Sequence, residues 1–107
     1  EPNGDSPFML LAYRTKMRKA KKIIATVHVD KTSRVQTVES SLNDRYYRLI
    51  RHFYDLTGVP LVLNTSFNDK GEPIVCTPED AIKTFEKTNL DALVIEDYVI
   101  EKRIPCR

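Results

Sequence analysis

Asn64, Ser66 and Asn68 stand at alternate positions of Leu63-Asn64-Thr65-Ser66-Phe67-Asn68, directly after the apolar run Val59 to Leu63. If that run is a buried strand, residues two apart share a face, and the three short polar side chains project into one space where the strand ends. Their hydroxyl and amide groups are donors suited to phosphate or carbonyl oxygens, and the nearby Gly71 permits close backbone approach. The same residue types build ordinary turns, so a polar strand end leading into a turn fits the pattern as well. Arg34 is the second candidate, because a guanidinium grips phosphate through two parallel charge-assisted hydrogen bonds. Asp30 lies across a short turn from it and offers a competing ion pair, worth only ~0–1 kcal/mol when exposed. His28 shares a strand face with Asp30, which suits acid–base work or hydrogen bonding by an imidazole that a carboxylate orients. A histidine satisfied locally has the same spacing.

The elements that must position these residues alternate along the chain. Phe8 to Tyr13 is apolar throughout and reads as a strand covered on both faces. Six basic residues in nine follow from Arg14 to Lys22, a solvated connector or a phosphate contact. Ile24 to Asp30 alternates, with Val27 and Val29 on one face and Thr26, His28 and Asp30 on the other. Lys31-Thr32-Ser33 then forms a turn and Arg34 to Val38 returns, which together predict a hairpin. Leu42, Tyr46, Leu49, Ile50, Phe53 and Leu56 recur at helical spacing, and Gly58 stands where a left-handed cap ends the helix. Val59 to Leu63 reads as a strand, with Pro60 confined to its start. Thr77-Pro78-Glu79-Asp80 opens a second helix with a capping threonine, a first-turn proline and two acids that complement the dipole. Ala81, Ile82 and Phe85 are its expected inner face, Ala92 to Ile95 a buried strand, and Tyr98 to Ile100 its extension or a further strand. The order β-β-β-α-β-α-β predicts one domain over residues 1–107. Its class is α/β or α+β, with a mixed sheet of about five strands and two main helices.

Other features exclude more than they assign. A net charge of +2 selects no partner, and no apolar run approaches the ~20 residues that span a bilayer. Without a signal-peptide pattern the expected location is the cytoplasm. Cys76 and Cys106 are 30 residues apart without a CxxC, so neither a metal site nor a disulfide framework is expected. Cys76 precedes the Thr77 cap, where a helix start lowers a thiol pKa, but it reads first as a packing residue. Tyr46 and Phe53 are expected in the core, leaving Tyr47 and Tyr54 for the surface and no aromatic platform. His52, with Arg48 and Asp55 at helical spacing, is expected to face solvent. Glu1 to Pro7 is loop chemistry without an initiator Met, so the start reads as a cut, with strand neighbours in sequence beyond it.

Several ordered motifs carry a resemblance. Ser6-Pro7-Phe8-Met9, His28-Val29-Asp30 with Arg34-Val35-Gln36-Thr37-Val38, Leu63 to Asn68, Gly71-Glu72-Pro73-Ile74-Val75 and Thr77-Pro78-Glu79-Asp80-Ala81 resemble the C-terminal, YrdC-like domain of the carbamoyltransferases that modify nodulation factors and antibiotics. The similarity runs from about Ser6 to about Asp97. It implies that a metal-dependent transferase domain of actin-like fold, the partner domain, precedes this region, and that the metal belongs there. The YrdC-like domain would bind ATP, with Mg, and carbamoyl phosphate, and form carbamoyl-adenylate for transfer to a substrate hydroxyl. By motif, Arg34 would clamp phosphate, and Asn64 and Ser66 would hold nucleotide or carbamoyl phosphate oxygens; His28 and Asn68 complete the candidate ligand set.

Two departures qualify the resemblance. Many relatives carry Gly where Lys31 stands, so the turn is expected to take a geometry compatible with a side chain. The family's Gly- and Arg-rich phosphate segments would precede Ser6, so little activity is expected from this chain alone. A nucleic-acid module, suggested by the basic run and by the RNA association of some YrdC-like proteins, is one alternative; a folded but inert fragment is another. An unpaired apolar edge strand would favour a homodimer.

Overall fold

The computed structural model describes residues 4–102; Cys106 and the first three residues of the loop-like start lie outside them. The chain divides between Asn64 and Thr65 into two compact units.

In the first unit, β1 (Ala12–Arg14) pairs antiparallel with β2 (Thr32–Arg34), and Ala12 faces Arg34, Tyr13 faces Ser33 and Arg14 faces Thr32. Between them lie the single-turn helix α1 (Met17–Ala20), a 3₁₀ turn over Ile24–Thr26, and a tight turn over His28 to Lys31. The expected hairpin of residues 24–30 with 34–38 is therefore absent. Asp30 is the reason: its Oδ1 accepts from both the backbone N–H (3.0 Å) and the hydroxyl (2.7 Å) of Thr32, an Asx turn that closes the chain earlier than Lys31-Thr32-Ser33 would. Lys31 sits in that turn at φ 66°, the left-handed region that favours glycine, so the side-chain-compatible geometry expected for it is not adopted.

Hydrogen bonds organise the rest of this unit. Ser6 is buried; its N–H donates to Thr37 Oγ1 and its hydroxyl to the Val35 carbonyl, both at 2.9 Å, and Thr37 N–H donates back to the Ser6 carbonyl at 3.0 Å. Gln36 Nε2 donates to the Pro7 carbonyl at 3.0 Å, while Gln36 Oε1 accepts from Asn64 Nδ2 at 2.7 Å. The apolar strand expected from Phe8 shrinks to β1, with Phe8, Leu10 and Leu11 exposed.

Helix α2 (Ser40–Thr57) breaks at Asn43, whose φ of −151° is not helical and whose Oδ1 accepts from Tyr46 N–H at 3.1 Å. Asn43 therefore caps the main body of the helix. Gly58 ends it at φ 69°, as the spacing predicts. No described residue of α2 is buried, and Leu42, Leu49 and Leu56 on its apolar stripe are exposed. Val59 to Leu63 forms no strand, because Pro60 lacks a donor and no described segment pairs with this stretch.

The second unit contains α3 (Pro78–Lys87) and a hairpin of β3 (Ala92–Ile95) with β4 (Tyr98–Glu101). Thr77 Oγ1 accepts from Asp80 N–H at 3.1 Å, the cap read from the sequence. Ala81, Phe85 and Leu93 are buried together, with Phe67, Val75, Ile95 and Ile100 packed against them. Thr84, at 4% exposure, takes the inward place expected of Ile82, which is 38% exposed. One helical turn separates Ala81 from Thr84 and Phe85, so the stripe that faces the hairpin excludes Ile82. Strand β3 is buried on one face only, since Val94 points outward.

Among the described residues, two separate two-stranded antiparallel sheets stand in place of a mixed sheet of about five strands, and the class is α+β. No described helix is long and apolar enough to cross a membrane.

A basic groove as the candidate functional site

A groove of about 940 Å³ opens in the first unit. It is lined by residues of β1 and β2, the start of the basic run, the turn residue His28, the stretch Val35 to Val38, helix α2, and Pro60 to Asn64. Strand register explains two of its cations. Arg14 shares a face with Ala12, Arg34 with Thr32, and the cross-strand pairs are Arg14 with Thr32 and Ala12 with Arg34. The two arginines are thus diagonal neighbours on one face of the ribbon, with backbones about 7–8 Å apart. Among the described residues neither guanidinium has an acidic partner, and Arg34 forms no pair with Asp30, whose carboxylate is taken by Thr32. Lys16, Lys19 and Arg51 add charge to the lining, and no carboxylate of the described residues is present in it. Five of the chain's 17 lysines and arginines thus line one concave surface, where they attract anions.

The aromatic side of the groove comes from α2. Tyr46, Ile50 and Tyr54 follow one another at steps of four, with Tyr47 and Arg51 beside them, and all five line the groove. Tyr46 is therefore not core, and an aromatic surface exists where none was expected. The signal was the i, i+4, i+8 repeat, which a reading of helix faces as core or solvent passes over. Arg51 lies over the Tyr54 ring at 5.8 Å and within 3.6 Å of Asp55, so its charge is partly engaged by the helix itself.

The structure brings together three of the five sequence candidates: His28, Arg34 and Asn64. Asn64 donates to Gln36 Oε1 at 2.7 Å and to Met9 Sδ at 3.4 Å, which leaves its carbonyl oxygen as the atom it offers a ligand. His28 Nδ1 lies 3.0 Å from Thr32 Oγ1. The same two Thr32 bonds hold the Asp30 carboxyl below its ordinary value, the side-chain bond most strongly. Ser66 and Asn68 belong to the second unit. Ser66 is exposed, and Asn68 Nδ2 donates to the Glu72 carbonyl at 3.1 Å, bracing a turn that Gly71 enters at φ 83°. Cys76 is exposed rather than packed. Among the described residues no group of three or more His, Cys, Asp or Glu is placed to hold a metal ion.

The family model for the carbamoyltransferase C-terminus matches residues 1–102. The chain belongs to this family. It is 50% identical over 97 residues to an uncharacterized protein of Methanocaldococcus jannaschii, covering 91% of the present chain and 19% of that protein. To the nodulation protein NolNO of Sinorhizobium fredii it is 45% identical over 97 residues, 91% of the chain and 14% of the relative. To the 3'-hydroxymethylcephem-O-carbamoyltransferase of Amycolatopsis lactamdurans it is 33% identical over 93 residues, 87% of the chain and 18% of the relative. The chain thus spans less than a fifth of the length of these relatives. Three of the stretches on which the carbamoyltransferase resemblance rests, at Ser6, at Val35 to Thr37 and at Asn64, are those stitched to one another by hydrogen bonds in the first unit.

Proposed function

We propose that the chain is the part of a two-site O-carbamoyltransferase that binds ATP and carbamoyl phosphate and forms carbamoyl-adenylate, for transfer to a substrate hydroxyl by a preceding domain. The observation that carries this reading is the groove's charge: two arginines without acidic partners among the described residues, diagonal on one ribbon face, in a described lining free of carboxylates. An anion bound between the two side chains would be attracted by both positive charges. The overall conversion balances as ATP, carbamoyl phosphate and water giving carbamoyl-adenylate, pyrophosphate and phosphate. Positive charge and donors around the phosphorus serve both the substrates and the displacement. Arg34 and Arg14 supply that charge and the α2 tyrosines offer a flat apolar surface beside it. Ser66 carries a hydroxyl donor and is assigned to the same chemistry by motif alone. Mg entering with ATP would neutralise phosphate charge; with no cluster of acids among the described residues placed to cage it, the nucleotide's oxygens and water would be its ligands.

Titration with ATP and with carbamoyl phosphate, followed at the backbone amides of Arg34, Asn64 and Ser66, tests the binding step; saturable shifts are expected. In the full-length protein, Arg34→Ala and Ser66→Ala should abolish carbamoyl phosphate-dependent pyrophosphate release while transfer from supplied carbamoyl-adenylate persists. Normal pyrophosphate release by both variants would refute the assignment. The combination of tyrosines and cations also favours a second reading, single-stranded nucleic acid stacked along the groove. That reading predicts oligonucleotide binding that weakens steeply with salt and competes with ATP.

A further inference from the structure

The turn before β2 contains a relay that the groove chemistry above leaves unused. Thr32 Oγ1 lies 2.7 Å from Asp30 Oδ1 and 3.0 Å from His28 Nδ1. A hydroxyl has one proton to give, and an ionised carboxylate can only accept. The Thr32 proton is therefore committed to Asp30, and the His28–Thr32 contact can form only if Nδ1 carries the hydrogen. Asp30 is kept ionised by the two bonds that Thr32 donates to it, since its carboxyl is held below the ordinary value. The backbone fixes the same geometry, with His28 N–H donating to the Thr32 carbonyl at 2.8 Å and Lys31 N–H to the His28 carbonyl at 2.9 Å. Five consecutive residues thus form a clip that favours hydrogen on Nδ1, which in the neutral imidazole leaves Nε2 as an acceptor.

His28 lines the groove, and an acceptor is the chemistry that the groove's cations lack, because arginine and lysine offer only donors. We infer that Asp30 and Thr32 act as positioning residues that hold His28 in its Nδ1–H tautomer, so that Nε2 accepts a hydrogen bond from the amide of a carbamoyl group whose phosphate is held by arginine. This makes His28 the residue that distinguishes a carbamoyl phosphate from an acyl phosphate bearing a methyl in place of the amide. The inference rests on the proposed binding of carbamoyl phosphate, and adds to it the origin of selectivity.

Two measurements on this chain test it. Long-range ¹H–¹⁵N correlation of the imidazole at pH 8.5, above the ordinary histidine range, is expected to show protonated Nδ1 in the wild type and in Thr32→Ser, and loss of that preference in Thr32→Val. Protonated Nε2 in the wild type would overturn the relay. Freshly dissolved carbamoyl phosphate and acetyl phosphate are then compared through the Arg34 amide shift. One hydrogen bond corresponds to a preference of roughly fivefold for the carbamoyl compound, and His28→Phe should reduce it to about one while acetyl phosphate binding is retained. Equal binding of both compounds to the wild type would overturn the inference and leave the proposed ligand class standing. Binding of neither, by this chain and by the full-length protein, would remove both.

Discussion

The two units of this chain hold themselves together by different means. The second has a small apolar core, Ala81, Phe85 and Leu93, closed by one helix over one hairpin and capped by side-chain chemistry written into adjacent residues. The first has Ser6 as its buried described residue, exposes Phe8, Leu10, Leu11, Leu42 and Leu56, and is joined by side-chain bonds across long sequence separations, such as Ser6 to Val35 and Asn64 to Gln36. Its residues His28, Gln36 and Asn64 line a groove that also holds five lysines and arginines. Burial stabilises a fold through area, with little regard to which atoms touch, whereas hydrogen-bonded segments fix particular atoms in particular places at a net gain of only ~0.5–1.5 kcal/mol each. The region that holds the candidate groove is the one organised by directed bonds.

The sharpest way to break this contrast is Phe85→Ala. Phe85 is 3% exposed, and removing a buried ring costs about 3–5 kcal/mol. Amide exchange across β3 and β4 should accelerate by at least about a hundredfold, while the Arg34 amide keeps its response to carbamoyl phosphate. If the Arg34 response disappears with the hairpin, the units are not independently organised and the contrast fails.

The same division governs what could be read from the chain. Helix α3 and its Thr77 cap, the Gly58 terminus and β3 rest on contacts between near neighbours, and residue types alone locate them. The first unit's strands were misplaced because the alternation from Ile24 to Asp30 looks like a strand, while Asp30 spends its carboxylate on the Thr32 turn instead. Val59 to Leu63 has the composition of a strand but no described segment to pair with, and its residues Pro60 to Leu63 line the groove. Of the candidate groove, Arg34, His28 and Asn64 were legible because their side chain types suit ligand binding. Arg14 and the α2 tyrosines were not, since their role depends on register and on which helix face the groove adjoins.

Smaller effects sharpen the comparison within each unit. Thr77→Ala removes the α3 cap and should lower the stability of the second unit by ~1 kcal/mol, with the Asp80 amide losing exchange protection; unchanged protection at Asp80 would mean the cap bond contributes nothing. Lys31→Gly acts in the opposite direction in the first unit. A non-glycine residue in the left-handed region bears about 1–2 kcal/mol of strain, and glycine's extra freedom in the unfolded chain returns about half of that. Urea denaturation should therefore show a net gain of ~0.5–1 kcal/mol, and a loss would mean the Lys31 side chain supports the turn.

The weakest effects are electrostatic, and they fall at opposite ends of the pH scale. Thr32 holds Asp30's carboxyl below its ordinary value, so that its contribution to the first unit is present above the ordinary carboxylate range and is lost as pH falls through the lowered value. Lys87 is raised, first by its 3.0 Å hydrogen bond to Glu72 and then by that residue's charge, so its contribution to the second unit is present below the ordinary lysine value and disappears as pH rises through the raised one. Both pairs are solvent-exposed, and global stability should barely respond. The local signature is specific: the Thr32 amide proton should move in acid with a midpoint below that of an ordinary aspartate. A Thr32 midpoint at the ordinary carboxylate value would mean that the Asp30 bond is not formed. The relay to His28 would then lose its anchor, and the contrast between a unit built on directed bonds and one built on burial would lose its clearest local example.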